Sequence, residues 1–208
     1  GGTDGTSDGS SGGGSGARSG GTTGTSTVVI DDTCPAFSIF DGPTYEGSKN
    51  RMRWTPSTRL LEVDGVIQTT LPMVVGSKNT SITYDGRATI YSKGTSIDVH
   101  ANIHPQGTFP TEDVLGMISA GDVNLGTGIG DAQLSLATVF YAEHEFSTEK
   151  QTQIAGAIMA SYFDMGTNVP QLFAVPSLKD NLPPGWMFYP PMPTTVFVVN
   201  WKKETRFK

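Results

Sequence analysis

Cysteine is almost missing from this chain. Cys34 is the only one in 208 residues, which excludes an intrachain disulfide and a cysteine-based zinc site. Followed by Pro35, it reads first as a small buried hydrophobe, with an intermolecular bridge or a reactive thiol as the alternatives. Charge is also scarce, at 16% of residues, and the basic sign is the scarcer one, leaving a net charge of -6. Phosphate binding needs clustered Lys and Arg, so nucleic acid is set aside as a partner. The one basic concentration, residues 201–208, reads as a solvated terminal strand. No apolar run approaches the roughly 18 residues of a membrane span. The chain opens Gly1-Gly2-Thr3-Asp4 rather than with Met, which suggests a processed or truncated product. Nucleophile elbows, phosphate-binding loops with their lysine, HExxH and CxxC patterns are all lacking.

What is present favours strands. Twenty-six Gly and 13 Pro, with abundant Thr, Ser, Val and Ile, suit pleated strands and tight turns better than helix interiors. Residues 1–27 are nearly all Gly, Ser and Thr; with nothing to bury, they are expected to form a flexible leader. Order should begin at Val28-Val29-Ile30 and continue in Phe37-Ser38-Ile39-Phe40, so residues 28–59 read as N-terminal strands and a cap. Residues 45–59 are polar and loop-like, with Trp54 and Pro56 as packing anchors.

Beyond residue 60 the apolar positions recur. Val66, Ile90, Ile118, Val139 and Ile158 mark short alternating strands, the later ones at roughly 20-residue spacing, as in a solenoid whose repeat is one coil. Such strand pairs are too short to stand alone, and stacking lets each bury its apolar side on the next. Gly65, Gly86, Gly94, Gly121 and Gly156 read as corners with positive φ. The fold class is therefore mostly β: one domain, with a β-helix or solenoid-like stack over 60–178 and a Pro/aromatic-rich cap and terminal strand over 179–208. An antiparallel sandwich is the competing architecture. Residues 148–160 are assigned to strand, whereas 111–118, with Pro110 before a capping Thr111 and two acids, reads as a helical turn.

The candidate sites are weak in chemistry. Asp122, Asn124 and Asp131 on a Gly-rich turn are the best candidate Ca²⁺ ligands, with Asp31, Asp32 and Asp41 a second set, though neither matches a known calcium loop. His100 and His104, four apart on an expected strand, share a face near Asp98, but surface positions are the simpler reading. Glu143, Glu145, Asp164 and Asp180 are the acids from which a polysaccharide-cleaving pair would be drawn, with nothing to bring two together. No catalytic residue, cofactor or metal is assigned. The Pro-locked aromatic segment with Trp186, Phe188 and Tyr189, and the run with Val196, Phe197, Val199 and Trp201, are the candidate subunit contacts, or the cap of the last coil.

A resemblance adds to this reading. Asp85-Gly86-Arg87-Ala88-Thr89-Ile90-Tyr91-Ser92, Asp98-Val99-His100-Ala101-Asn102-Ile103, Phe140-Tyr141-Ala142, Lys150-Gln151-Thr152-Gln153-Ile154-Ala155-Gly156 and Phe163-Asp164-Met165-Gly166-Thr167-Asn168-Val169-Pro170 carry it, with Leu182-Pro183-Pro184-Gly185 and the closing Trp201-Lys202-Lys203-Glu204. Over residues 62–186 the chain resembles the β-rich ectodomain of PilX-like type IV pilus assembly proteins, related in style to bactofilin-type solenoids. The N-terminal hydrophobic helix of that class is not in this sequence. The resemblance implies a non-enzymatic structural or accessory subunit of a bacterial, extracellular pilus-like appendage or surface attachment apparatus, whose partners are other protein subunits. A polysaccharide-acting β-helix enzyme and a carbohydrate-binding adhesin are the alternatives.

Overall fold

A computed structural model describes residues 27–43, 49–128, 131–166 and 169–186. The protein is mostly β, and the thirteen strands among the described residues join in one sheet. The first four are β1 (Val28–Ile30), β2 (Phe37–Pro43), β3 (Lys49–Thr55) and β4 (Leu60–Thr69). β3 pairs antiparallel with β2 on one side and with β4 on the other. Every other pairing is parallel, which is not the pattern of two face-packed antiparallel layers.

Three parallel ladders organise the rest. In the first, β6 (Ser81–Ser92), β8 (Asn102–Pro105), β11 (Ser135–Thr148), β12 (Gln153–Asp164) and β13 (Gln171–Phe173) bring Ile82, Ile103, Leu136, Ile154 and Leu172 into one column. In the second, β4, β6, β9 (Val114–Ser119), β11 and β12 align Ile67, Ile90, Met117, Phe140 and Ile158. The third runs β1, β5 (Met73–Val75), β7 (Ser96–Val99), β10 (Asp122–Leu125), β11 and β12, aligning Val28, Met73, Ile97, Val123, Phe146 and Phe163. Long strands such as β6 and β11 pass from one ladder to another, so each pass of the chain lies on the one before it. The columns meet in one core, in which the rings of Phe140, Phe146 and Phe163 pack in tilted pairs at centroid distances of 5.8 and 6.0 Å. Each large apolar side chain so buried is worth about 1.5–3 kcal/mol.

This register shifts the sequence anchors. Ile90 and Ile158 sit in the second column, but Val66, Ile118 and Val139 lie one residue off it, paired with Thr89, Tyr141 and Gly116 on the outer side. A one-residue slip reverses the face of a strand. Two further expectations are corrected. Residues 114–118 form β9, not a helical turn, and the polar stretch before residue 59 contains β3, where buried Met52 and Trp54 alternate with Arg51 and Arg53. Gly65, Gly86 and Gly156 do adopt positive φ, whereas Gly94 and Gly121 do not; a Cβ on Gly121 would lie 2.1 Å from the Thr95 carbonyl oxygen, so there the need is for close approach.

Tyr84 closes the core across the ladders. Its buried hydroxyl donates to the Ala137 carbonyl at 2.8 Å, and burial, reinforced by the Asp113 charge, pushes its ionisation far above the ordinary phenol range. The unfolded chain would ionise Tyr84 near pH 10 while the folded one would not, so this stabilisation is complete below that pH and falls as pH rises above it. Tyr84→Phe should cost about 1 kcal/mol at neutral pH. Above pH 10, the urea midpoint of the variant should decline less steeply than that of the parent.

Candidate interaction surface

After β13 the chain turns through a short 3-10 helix, Pro176–Asp180, and crosses the outer side of the second ladder as a strap. Val114, Val139 and Leu178 form a second, smaller apolar cluster with Phe109, Val175, Leu182 and Trp186, which is why Val139 is buried although it points away from the main core. Arg87 Nη2 donates to the Leu182 carbonyl at 3.1 Å, and Thr89 Oγ1 donates to that of Pro184. Gly185 reaches the β4 side chain of Val66. The strap therefore runs back from the last pass of the chain towards the first. Arg87 Nη1 also donates to the carbonyls of Pro110 and Thr111, so this one guanidinium ties the 106–113 excursion to the strap. Arg87→Met should destabilise by about 1–3 kcal/mol and speed limited proteolysis within 174–186 while β6 stays resistant.

The outward polar residues satisfy one another along the third ladder. Ser96 Oγ donates to Asp98 Oδ2, Asn124 Nδ2 donates to Asp98 Oδ1, and Ser147 Oγ donates to Asn124 Oδ1. The three expected Ca²⁺ ligands have different partners. Asp122 accepts from the Glu145 amide, Asn124 belongs to this ladder, and Asp131 accepts from the Gly128 amide and pairs with His100 Nδ1. In the second set, Asp31 accepts from the Thr33 and Cys34 amides, and Asp32 receives a two-point contact from Arg59 at 2.8 and 2.6 Å. That contact holds the Asp32 carboxyl below its usual range. The Asp41 side chain lies outside the described residues.

His100 follows β7 and His104 belongs to β8, so the two do not share a strand as expected. Among the described residues, no group of three or more His, Cys, Asp and Glu is placed to hold a metal ion. Glu145 and Asp164 line one groove with Asn124 and Glu149, while Glu143 lines another. Cys34 is half-buried, and burial, followed by the nearby Asp31 charge, raises its thiol above the ordinary range, which disfavours the reactive thiolate.

Of the expected subunit contacts, Trp186 packs against its own chain over Gly116, and its buried Nε1 has no acceptor among the described residues. Phe188, Tyr189, Val196, Phe197, Val199 and Trp201 lie outside the described residues. Sequence reasoning missed where apolar surface remains. Large exposed hydrophobics among the described residues are Ile39, Val66, Met159, Tyr162, Val169, Leu172 and Phe173, so five of the seven fall in the last two strands and the turn between them. The alternation of β12 was the available signal: Gln153–Asp164 has apolar residues on both sides of the strand. Among the described residues, no helix is long and apolar enough to cross a membrane.

Compared with family models, curated proteins and solved structures, the chain matches none.

Proposed function

We propose that this protein is a structural or accessory subunit of an extracellular, pilus-like appendage or surface attachment apparatus, acting by packing and adhesion rather than turnover. In this reading the three parallel ladders are the faces of a β-solenoid and each pass of the chain is one coil, as the resemblance to PilX-like ectodomains implies. One observation carries it: the last two strands leave large apolar side chains exposed, Met159 at 57% and Tyr162 at 61% on β12 and Leu172 and Phe173 on β13. Ser96, Asp98, Asn124 and Ser147 are meanwhile bonded to one another, as are His100 and Asp131, and Asp122 accepts from a backbone amide. Exposed apolar side chains concentrated at one end of a fold are commonly covered by a protein contact.

Immunogold negative-stain electron microscopy of the native source tests the proposal. Label on filaments or surface structures of regular repeat is the expected result; label confined to material without such structures would contradict it. The groove shared by Glu145 and Asp164 favours a second reading, a protein that cleaves or binds polysaccharide. A panel of acidic and neutral glycans separates the two readings, since turnover would establish an enzyme, saturable binding an adhesin, and neither outcome would leave the structural subunit.

A further inference from the structure

The 106–113 excursion and the strap lie far apart in sequence, yet they meet on the outer side of the second ladder and share one small core. Phe109 of the excursion packs into the cluster of Val114, Val139 and Leu178, together with Val175, Leu182 and Trp186 of the strap. The sheet separates this cluster from the main core: β9 gives Val114 to one and Leu115 and Met117 to the other, and β11 divides Val139 from Phe140 in the same way. Hydrogen bonds repeat the pattern. Arg87 Nη1 donates to the carbonyls of Pro110 and Thr111 in the excursion, while its Nη2 donates to that of Leu182 in the strap. Among the described residues, the backbone bonds of the strap are local ones, from Leu178 to Val175, Asn181 to Leu178 and Trp186 to Pro183, and side chains of β6 tie it to the ladder. The excursion is likewise closed on itself, since the Thr108 amide donates to the Glu112 carboxylate and the Glu112 amide to the Thr108 carbonyl.

We propose that the excursion and the strap are two halves of one clasp, which opens and closes as a single cooperative unit over an intact ladder, with Arg87 and the small cluster coupling the halves. Segments with local backbone bonds and few apolar contacts open at lower free energy than strands held in a continuous register. The coupling follows from what each half would lose. If the strap leaves alone, Phe109, Val114 and Val139 lose apolar cover and the guanidinium loses an acceptor; if the excursion leaves alone, the strap loses Phe109 and the guanidinium loses two acceptors. A half-open clasp thus forfeits the shared contacts while regaining the chain entropy of one half only. Asp113 does not replace this coupling. It holds the root of the excursion to the Gly86 amide, whereas Phe109, Pro110 and Thr111 engage the cluster and Arg87. Linkage makes the clasp a relay between two surface segments: a partner that grips the exposed Thr111 and Glu112 also holds the strap in place, and one that draws the strap away loosens the excursion. The inference stands whether or not the appendage reading does.

Native-state hydrogen exchange on the full chain in dilute urea provides the test. Leu182→Ala, in the strap, should speed exchange of the Asp113 amide in the excursion by about tenfold, and by the same factor at Leu178 and Asn181. Phe109→Ala should in turn speed Leu178 and Asn181 together with Asp113. Amides of β6 and β10 should keep the parent's rates in both variants. Acceleration confined to the half that carries the substitution overturns the proposal, since the two segments would then open independently. Thr89→Val, which removes the bond to Pro184 and nearly keeps the side-chain volume, is the milder companion where Leu182→Ala loosens the whole fold. If β10 amides accelerate as much as those of the strap in that variant, the proposal is overturned too, because the clasp would then open only with the ladders.

Discussion

Replacing Gly86 with valine should lower stability by about 3–5 kcal/mol, read as a fall in the urea midpoint with loss of the β signal at a lower temperature. Gly86 has φ +107, which a β-branched residue does not adopt without strain. A Cβ there would also lie 2.1 Å from the carbonyl oxygen of Val63, on the adjacent strand at the same register. The obstacle is backbone, so no rotamer change relieves it. Because Gly86 is where β6 bends from the first ladder into the second, a displacement there disturbs both columns. Val66→Ala, on the outer side of the neighbouring strand, should cost far less.

Asp113→Ala is expected to cost about 2–5 kcal/mol, an unusually large loss for a carboxylate outside an ion pair. The side chain is 4% exposed and accepts the backbone amide of Gly86 at 2.8 Å and that of Gly107 through its other oxygen. Removing it strands two amides and releases the 106–113 excursion from the ladder, each orphaned donor costing about 1–3 kcal/mol. Asp113→Asn keeps one acceptor and should recover roughly half the loss. Since Gly86 takes part in both effects, the double variant should fall short of the sum of the singles.

That excursion also explains why β9 was hidden in the sequence. Pro110, Thr111, Glu112 and Asp113 look like the start of a helix, but here the acids serve a turn. Glu112 accepts the Thr108 amide at 2.7 Å, a bond that holds its carboxyl below the usual range, and Asp113 accepts those of Gly86 and Gly107. Gly86, 27 residues from Asp113, is a partner too distant in sequence to leave a local mark. β3 was obscured for another reason: its outward Arg51 and Arg53 make the segment look polar, while the period-two burial of Met52 and Trp54 is the signal that mattered.

The strands themselves were legible wherever one side of them is polar, as in Leu61, Val63 and Ile67 of β4. The register was less so. Val139 and Phe140 are both apolar and both buried, one under the strap and one in the main core, so alternation alone could not say which faced inward. The candidate surface shares this difficulty. Met159 and Tyr162 are indistinguishable from core residues in sequence, and their exposure follows from the register, which sets them on the outer side beside Tyr141 and Glu145.

The central claim is that successive passes lie parallel and in register through Ile67, Ile90, Met117, Phe140 and Ile158. Interstrand nuclear Overhauser contacts in the isotopically labelled protein test it most directly. The account predicts parallel-type backbone contacts linking Ile90 to Met117 on one side and to Ile67 on the other, and Phe140 to Ile158. Antiparallel-type contacts at Ile90 or Phe140, or a register that joins Ile118 to Val139, would contradict it.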